Sequence, residues 1–150
     1  SVTAEMGTIL MDIPVEDNLA AIFRFSSGPL AILHSSWTEL AAMVTTQIFG
    51  DQGSIIQMYS DLSSSALPRL IPSAILVHRR AEKAWRQPAV EEGFGRIHHK
   101  VAKAFVSCLV DGTPPPVTAE DGRKAVEMVL AIYQSVRERR AIHFPLKRST

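Results

Sequence analysis

The hydrophobic period changes once along this chain, and that change limits what it can fold into. Up to about residue 80, apolar residues alternate at period two between turn signals; from Glu91 onward they recur at helical spacing. Strands first and helices after argue for an α+β fold: an open, mainly antiparallel β-sheet with helices packed on one face.

The strand half reads as follows. Val2 to Met11 is a strand stopped by Asp12-Ile13-Pro14, and Glu16-Asp17 is a turn into the next. Asn18 to Phe25 puts Leu19, Ala21, Phe23 and Phe25 on one face, and Ser26-Ser27-Gly28-Pro29 turns it into a third strand, Leu30 to Thr38. Gly50-Asp51-Gln52-Gly53 is a hairpin signal between Val44–Phe49 and Ser54–Tyr59, because glycine takes positive φ without a Cβ penalty. Asp61 to Ser73 is a polar loop, and Ile75 to Arg79 a further strand.

In the helical half, Phe94, Ile97, Val101, Phe105 and Cys108 form one stripe, stopped by Gly112 at the C′ position and by Pro114-Pro115-Pro116. Thr118 is an N-cap whose hydroxyl reaches Asp121, and Ala125, Val129, Ile132 and Val136 are the buried stripe that follows. Met128 and Tyr133 are expected in the core beside them, Arg137, Arg139 and Arg140 favour the negative helix end, and Ala141 to Leu146 is a short last strand. Five strands about 4.8 Å apart span roughly 20–24 Å, and two helices about 10 Å wide cover about 20 Å. One face is therefore left open. Ala20, Ile22, Leu33, Trp37, Ile55 and Tyr59 are expected on it, and a semi-apolar open face calls for a partner.

Composition removes several classes of function. A net charge of +1 gives no field that attracts nucleic acid or an anionic membrane, and no apolar run is long enough to span a bilayer. Ser1 to Asp12 lacks the basic start and cleavage site of a signal peptide; a chain that opens inside a strand reads as a fragment. Cys108 is the only cysteine, so no internal disulfide forms, and its apolar neighbours Phe105, Val106, Leu109 and Val110 suggest a buried thiol.

The chemical motifs are sparse. Gly93-Phe94-Gly95-Arg96-Ile97-His98 imitates a dinucleotide fingerprint, but no buried strand precedes it and His98 stands where the third glycine is needed; it reads as a glycine-loosened helix start. His98 and His99, adjacent on a helix, point about 100° apart and cannot share a metal. No metal site is expected, and Glu82-Lys83 is a solvated charge pair. The densest set of ligand contacts is His34, Ser36, Trp37, Thr38 and Glu39, with core packing an equal alternative for Trp37. His34, Trp37, Thr38 and Glu39 are the candidate substrate-binding residues; no catalytic or cofactor-binding residue is assigned.

Several segments, in order, resemble the C-terminal domain of the Gfo/Idh/MocA family of NAD(P)-dependent oxidoreductases. They are Val15-Glu16-Asp17-Asn18, Phe25-Ser26-Ser27-Gly28, Ser35-Ser36-Trp37, and Ile48 through Ile55 around the glycine-bracketed hairpin. The most specific are Pro115 through Lys124, Ala131 through Ser135, and Ile142 through Leu146. The resemblance implies that 1–150 is a C-terminal substrate and oligomerisation domain. The Rossmann domain, the Glu-Lys-Pro lysine and the substrate-site histidine and aspartate would lie upstream, and the chain alone would be inactive. Glu82-Lys83-Ala84 lacks the proline and does not substitute.

The reaction implied is hydride transfer between NAD or NADP and a secondary alcohol of a sugar, cyclitol or related small molecule, in a cytoplasmic homo-oligomer joined through the open sheet face. The fragment itself would bind no cofactor. In the family, the segment matching Trp37 to Met43 approaches the active-site cleft, although Leu40-Ala41-Ala42-Met43 offers few hydrogen-bonding groups for a polyol. Two alternatives stand beside this: a non-catalytic regulatory or ligand-binding protein of the same fold, and a free-standing dimeric ligand-binding module.

Overall fold

The computed structural model describes residues 1–38, 43–60, 74–89 and 97–147. It divides into two compact units, Ser1–Thr38 with Val101–Thr150, and Glu39–Lys100. The elements are β1 (Val2–Gly7), β2 (Asn18–Arg24), β3 (Leu30–Ser36), β4 (Met43–Gly50), β5 (Gly53–Ser60), β6 (Ala74–Arg79), α1 (Ile97–Asp111) and α2 (Ala119–Glu138). The chain is α+β with open antiparallel sheets, as the change of period predicts. The strands form two three-stranded sheets, β1-β2-β3 and β4-β5-β6, where one sheet of five or more was expected. The polar segment 61–73 lies outside the described residues, as do residues 93–96 of the glycine-bearing stretch.

In the first unit, strand alternation decides which side chains are buried. Val2 and Ala4 of β1 lie opposite Phe23 and Ala21 of β2, and all four are buried. Against them α2 packs Ala131, Ile132 and Ser135, with Met128 and Val136 half-buried at the margins. Ile142 closes the cluster. Its amide and carbonyl pair with those of Val2 at 2.9 and 2.8 Å, so the expected last strand is a single bridge. Phe144 stacks on Phe23 with ring centroids 6.4 Å apart.

The buried face of α2 is thus 128, 131, 132, 135 and 136. The predicted stripe is half right: Ile132 and Val136 pack as expected, with Met128 beside them, whereas Ala125, Val129 and Tyr133 are exposed. The buried face extends toward Ala131 and Ser135 instead, and Ser135, a polar residue, holds the centre of the contact. Its Oγ accepts the Ala4 amide at 3.1 Å and donates to the Arg140 carbonyl at 2.8 Å.

The caps follow the sequence closely. Thr118 and Asp121 form a reciprocal capping box at the start of α2. Gly112 follows α1 at φ 64°, while Thr113 donates to the Cys108 carbonyl at 3.0 Å. Arg139 ends α2 in the left-handed region at φ 51°, and Arg140 pairs with Glu138 instead of the helix end. Glu127 accepts the Leu146 amide at 2.6 Å and pairs with Arg123 at 2.8 Å, tying the C-terminal segment to α2.

The predicted α1 stripe is not buried. Val101 and Phe105 are exposed, as are Val106, Leu109 and Val110, and Cys108 is half-buried with its thiol toward the Pro114 carbonyl at 3.6 Å. Among the described residues α2, not α1, packs on β1. Helical spacing identifies an apolar stripe but not the surface that meets it.

In the second unit, β4 and β5 pair through Gly50 and Gly53. Only Gly53 has positive φ, and the need for glycine there is mainly steric: a Cβ would sit 2.1 Å from the His78 carbonyl of β6. Glu82 is no free surface charge. It pairs with Arg86 at 2.9 Å in the turn where Arg86 and Val77 exchange backbone hydrogen bonds.

Replacing Ser135 by alanine should leave the Ala4 amide and the Arg140 carbonyl without their partner. A buried group left unpaired costs about 1–3 kcal/mol, and the melting temperature of a chain this size falls roughly 2–4 °C per kcal/mol. Thermal unfolding of Ser135→Ala should therefore show a loss of several degrees; an unchanged melting temperature would remove Ser135 from the contact that holds α2.

Candidate functional site

The best-organised polar feature of the first unit is Asp17. It is 1% exposed, and every polar group it has is used. Oδ1 accepts the Ile9 amide at 2.7 Å and the Asn18 side-chain amide at 3.1 Å; Oδ2 accepts the Leu10 and Met11 amides, each at 2.8 Å. Its own amide donates to the Gly7 carbonyl at 3.1 Å, and its carbonyl accepts the Trp37 amide at 2.8 Å.

Three successive amides pointing at one carboxylate are a strong anion cradle. The Met11 amide foremost, with those of Leu10 and Ile9 and the Asn18 side chain, holds the Asp17 carboxyl far below the ordinary carboxylate range despite the opposing effect of burial. The loop is closed further by Thr8 Oγ1, which donates to the Val15 carbonyl at 2.7 Å. Tyr133 of α2 adds a short hydrogen bond to Glu16, which lowers the Glu16 pKa and raises that of Tyr133.

The bond from Trp37 to Asp17 continues the β2–β3 register by one residue, since Asn18 lies opposite Ser36. Alternation then places Trp37 on the same side as Ser35 and Leu33, and places His34, Ser36 and Thr38 on the other. The four candidate residues are not brought together. Trp37 is 79% exposed, its amide bonded to the residue that holds the 9–11 loop. Thr38 is tied inward: its amide donates to Ser36 Oγ at 3.0 Å, and its hydroxyl meets Ser36 Oγ at 2.9 Å and accepts from Asn18 at 3.1 Å. His34 is exposed on the open face, across Ala20 from Glu5. Glu39 lies outside the described residues.

The open face of the first sheet carries Thr3, Glu5, Ile22, Arg24, Ile32 and His34. Ile22 is 50% and Ile32 80% exposed, and the two are cross-strand partners. Leu33, expected here, faces the other way because it lies opposite buried Ala21; Ile32 takes its place. Ile55 and Tyr59 belong to the second sheet, where Ile55 lies between Ile48 and Val77.

Reading the sequence missed Asp17. Glu16-Asp17 has the composition of any strand-entry turn, and the one available signal was a loop of eight residues before it, Ile9 to Glu16, that needs amide partners. The start of α2 does not fit the pyrophosphate of a nicotinamide dinucleotide. That group needs a helix start with free amides and no negative charge. At α2 that position is filled by Asp121, which accepts the Thr118 amide and hydroxyl at 2.9 and 2.7 Å, with Glu120 beside it. Among the described residues no group of three or more His, Cys, Asp or Glu side chains is placed to hold a metal ion. Nor does any described helix have the length and hydropathy to cross a membrane.

The model of the C-terminal α/β domain of the Gfo/Idh/MocA oxidoreductase family matches residues 2–144. Solved structures similar to this chain include aldose-aldose oxidoreductase from Caulobacter crescentus complexed with glycerol, at 23% identity and TM-score 0.72, covering 95% of this chain and 40% of that one. A second is the WlbA dehydrogenase from Bordetella pertussis in complex with NADH and UDP-GlcNAcA, at 19% identity and TM-score 0.70, covering 97% of this chain and 40% of that one. A third, described as an NADPH-dependent oxidoreductase from Desulfitobacterium hafniense, has 16% identity and TM-score 0.73, covering 93% and 40%. At these identities the likeness is one of fold. No curated protein sequence matches the chain.

Because the folded-state pKa of Asp17 lies below its unfolded value of about 3.9, its contribution to stability is complete above that pH and is lost as the pH falls through the lower folded value. Asp17→Asn should lower the melting temperature at neutral pH and flatten its fall in acid below about pH 4. If wild type and variant lose stability in parallel on acidification, the charged cradle is not what holds this loop.

Proposed function

Because this chain belongs to the Gfo/Idh/MocA oxidoreductase family as its C-terminal α/β domain, we propose that it is the substrate-side and oligomerisation part of an NAD(P)-dependent oxidoreductase. The parent moves a hydride between nicotinamide and a secondary alcohol carbon of a sugar, cyclitol or related small molecule. The family match over residues 2–144 carries this reading. It is supported by similar folds among oxidoreductases solved with NADH, a nucleotide sugar acid or glycerol.

In this reading the cofactor and the catalytic groups belong to parts of the protein outside 1–150, since this chain spans 40% of the length of those relatives and its own helix start at Thr118 repels a pyrophosphate. The protein works in the cytoplasm, where nicotinamide coenzymes are held. Its substrate meets the exposed Trp37 at the end of β3, on the side of the sheet away from His34. Glu39, two residues on, is retained as a candidate contact, and Thr38 and His34 are weaker ones: the Thr38 hydroxyl is already hydrogen-bonded, and His34 stands on the open face.

The open face pairs with a second copy. Ile22 and Ile32 form its apolar centre, with Glu5, Arg24 and His34 around them. A two-fold contact lets one self-complementary patch serve both subunits, and about 800 Å² per partner makes a stable dimer.

Two measurements test the reading. Calorimetric titration of the isolated chain with NAD⁺, NADH, NADP⁺ and NADPH should show no saturable binding; a micromolar Kd for any of the four would place the cofactor site inside 1–150 and overturn the division proposed. Sedimentation velocity at low micromolar concentration should give a dimer that Ile22→Lys dissociates. A monomer for the unmodified chain would refute pairing, and a dimer indifferent to the lysine would move it to another surface.

A further inference from the structure

We propose that Asp17 is a positioning residue for Trp37: one buried side chain sets both the loop beside the tryptophan and the strand end that carries it. This rests on the reading above, in which Trp37 meets the substrate. It adds the chemistry of that contact, the C–H face of a saturated sugar or cyclitol ring laid on the indole.

An exposed indole offers a flat apolar surface together with one polar handle. Trp37 is exposed, and its indole N–H can donate to a ring hydroxyl. Ile9 and Leu10, whose amides reach the same Asp17, are also exposed and apolar. A saturated ring has this same pairing of an apolar face and polar rim.

Such a contact works only if the platform is held, because productive geometry tolerates errors of about 0.5 Å. Trp37 lies just beyond β3, and its amide is tied to the sheet by the 2.8 Å bond to the Asp17 carbonyl. Asp17 precedes β2 and is itself fixed by its carboxylate, which gathers the amides of Ile9, Leu10 and Met11. Loop and tryptophan are therefore clamped by the same residue. The hydroxyl pair Ser36–Thr38, joined to Asn18, braces the strand end from the opposite side. Thr38 then belongs to the support, and substrate recognition in the described residues falls to Trp37.

The test uses the full-length protein labelled with 5-fluorotryptophan, the Trp37 resonance being assigned by its loss in Trp37→Phe. In Asp17→Asn the Trp37 fluorine signal should shift and broaden, and amide exchange at Ile9, Leu10, Met11 and Trp37 should accelerate at least about tenfold, as expected when a local opening loses its strongest restraint. A signal and exchange rates unchanged from wild type would overturn the proposal. Should the variant not fold, native-state exchange of the unmodified protein across sub-denaturing urea decides the matter: the four amides should open as one unit, and independent openings would sink the clamp.

Titration with D-glucose and with myo-inositol separates this from the functional reading. A Trp37 shift with either probe, weakened severalfold in Asp17→Asn, supports both. A clamp that holds while neither probe moves Trp37 removes Trp37 from substrate binding and leaves Asp17 a structural residue only. A probe that binds Trp37 with equal strength in the variant refutes the positioning role alone.

Discussion

The first unit depends on the burial of one carboxylate. Asp17 sits between a loop whose amides have no strand to pair with and a sheet end that would otherwise fray. An ionised group in such a place is tolerated only when several donors replace its water. Here four donors do so, three of them successive backbone amides. The loop satisfies the charge and the charge satisfies the loop. The residue before β2 can then lengthen the β2–β3 ladder by one pair, and an exposed tryptophan gains a fixed backbone.

The second constraint is that a single helix covers the first sheet. Ser135 is central to that contact, bonding Ala4 of the edge strand on one side and Arg140 beyond the helix on the other. With α2 committed to the Val2, Ala4, Ala21 and Phe23 side, alternation leaves Ile22 and Ile32 on a face that no described helix packs against. The apolar centre of that face comes from Ile22 and Ile32, the one β-branched residue in each of β2 and β3, a residue type that serves strand formation whether or not it finds a core.

How much of this was legible in the sequence depends on whether a signal was local. Thr118, Asp121 and Gly112 act on backbone within a few residues of themselves, and each stands where its chemistry predicted. The positions of β2 to β6 also held, because alternation is local, whereas the first strand stops at Gly7 and the last is a single bridge. What failed needed knowledge of the partner surface. The α2 stripe was met only at Ile132 and Val136, because a serine, discounted as polar, lies at the centre of the contact. Leu33 was assigned to the wrong face because side follows register, and a shift of one residue reverses every side chain. Val101 and Phe105 were set on one stripe of α1 by spacing alone, and that stripe is exposed. Asp17 escaped because its role lies in amides six to eight residues upstream, a pattern that looks like an ordinary polar turn.

That same alternation bears on function. Four residues close in sequence, His34 to Glu39, looked like one ligand cluster, yet successive residues of a strand point to opposite sides. His34 and Thr38 fall on the face with Ile22 and Ile32, whereas Trp37 falls on the face with Leu33 and Ser35. If the open face meets a second copy, the residues on it are withdrawn from any small molecule. In the reading proposed above, the small molecule is met on the other side, where Trp37 stands and where Asp17 fixes the backbone. A single strand end can in this way serve two partners at once, its odd positions given to one and its even positions to the other, with a one-residue alternation keeping them apart.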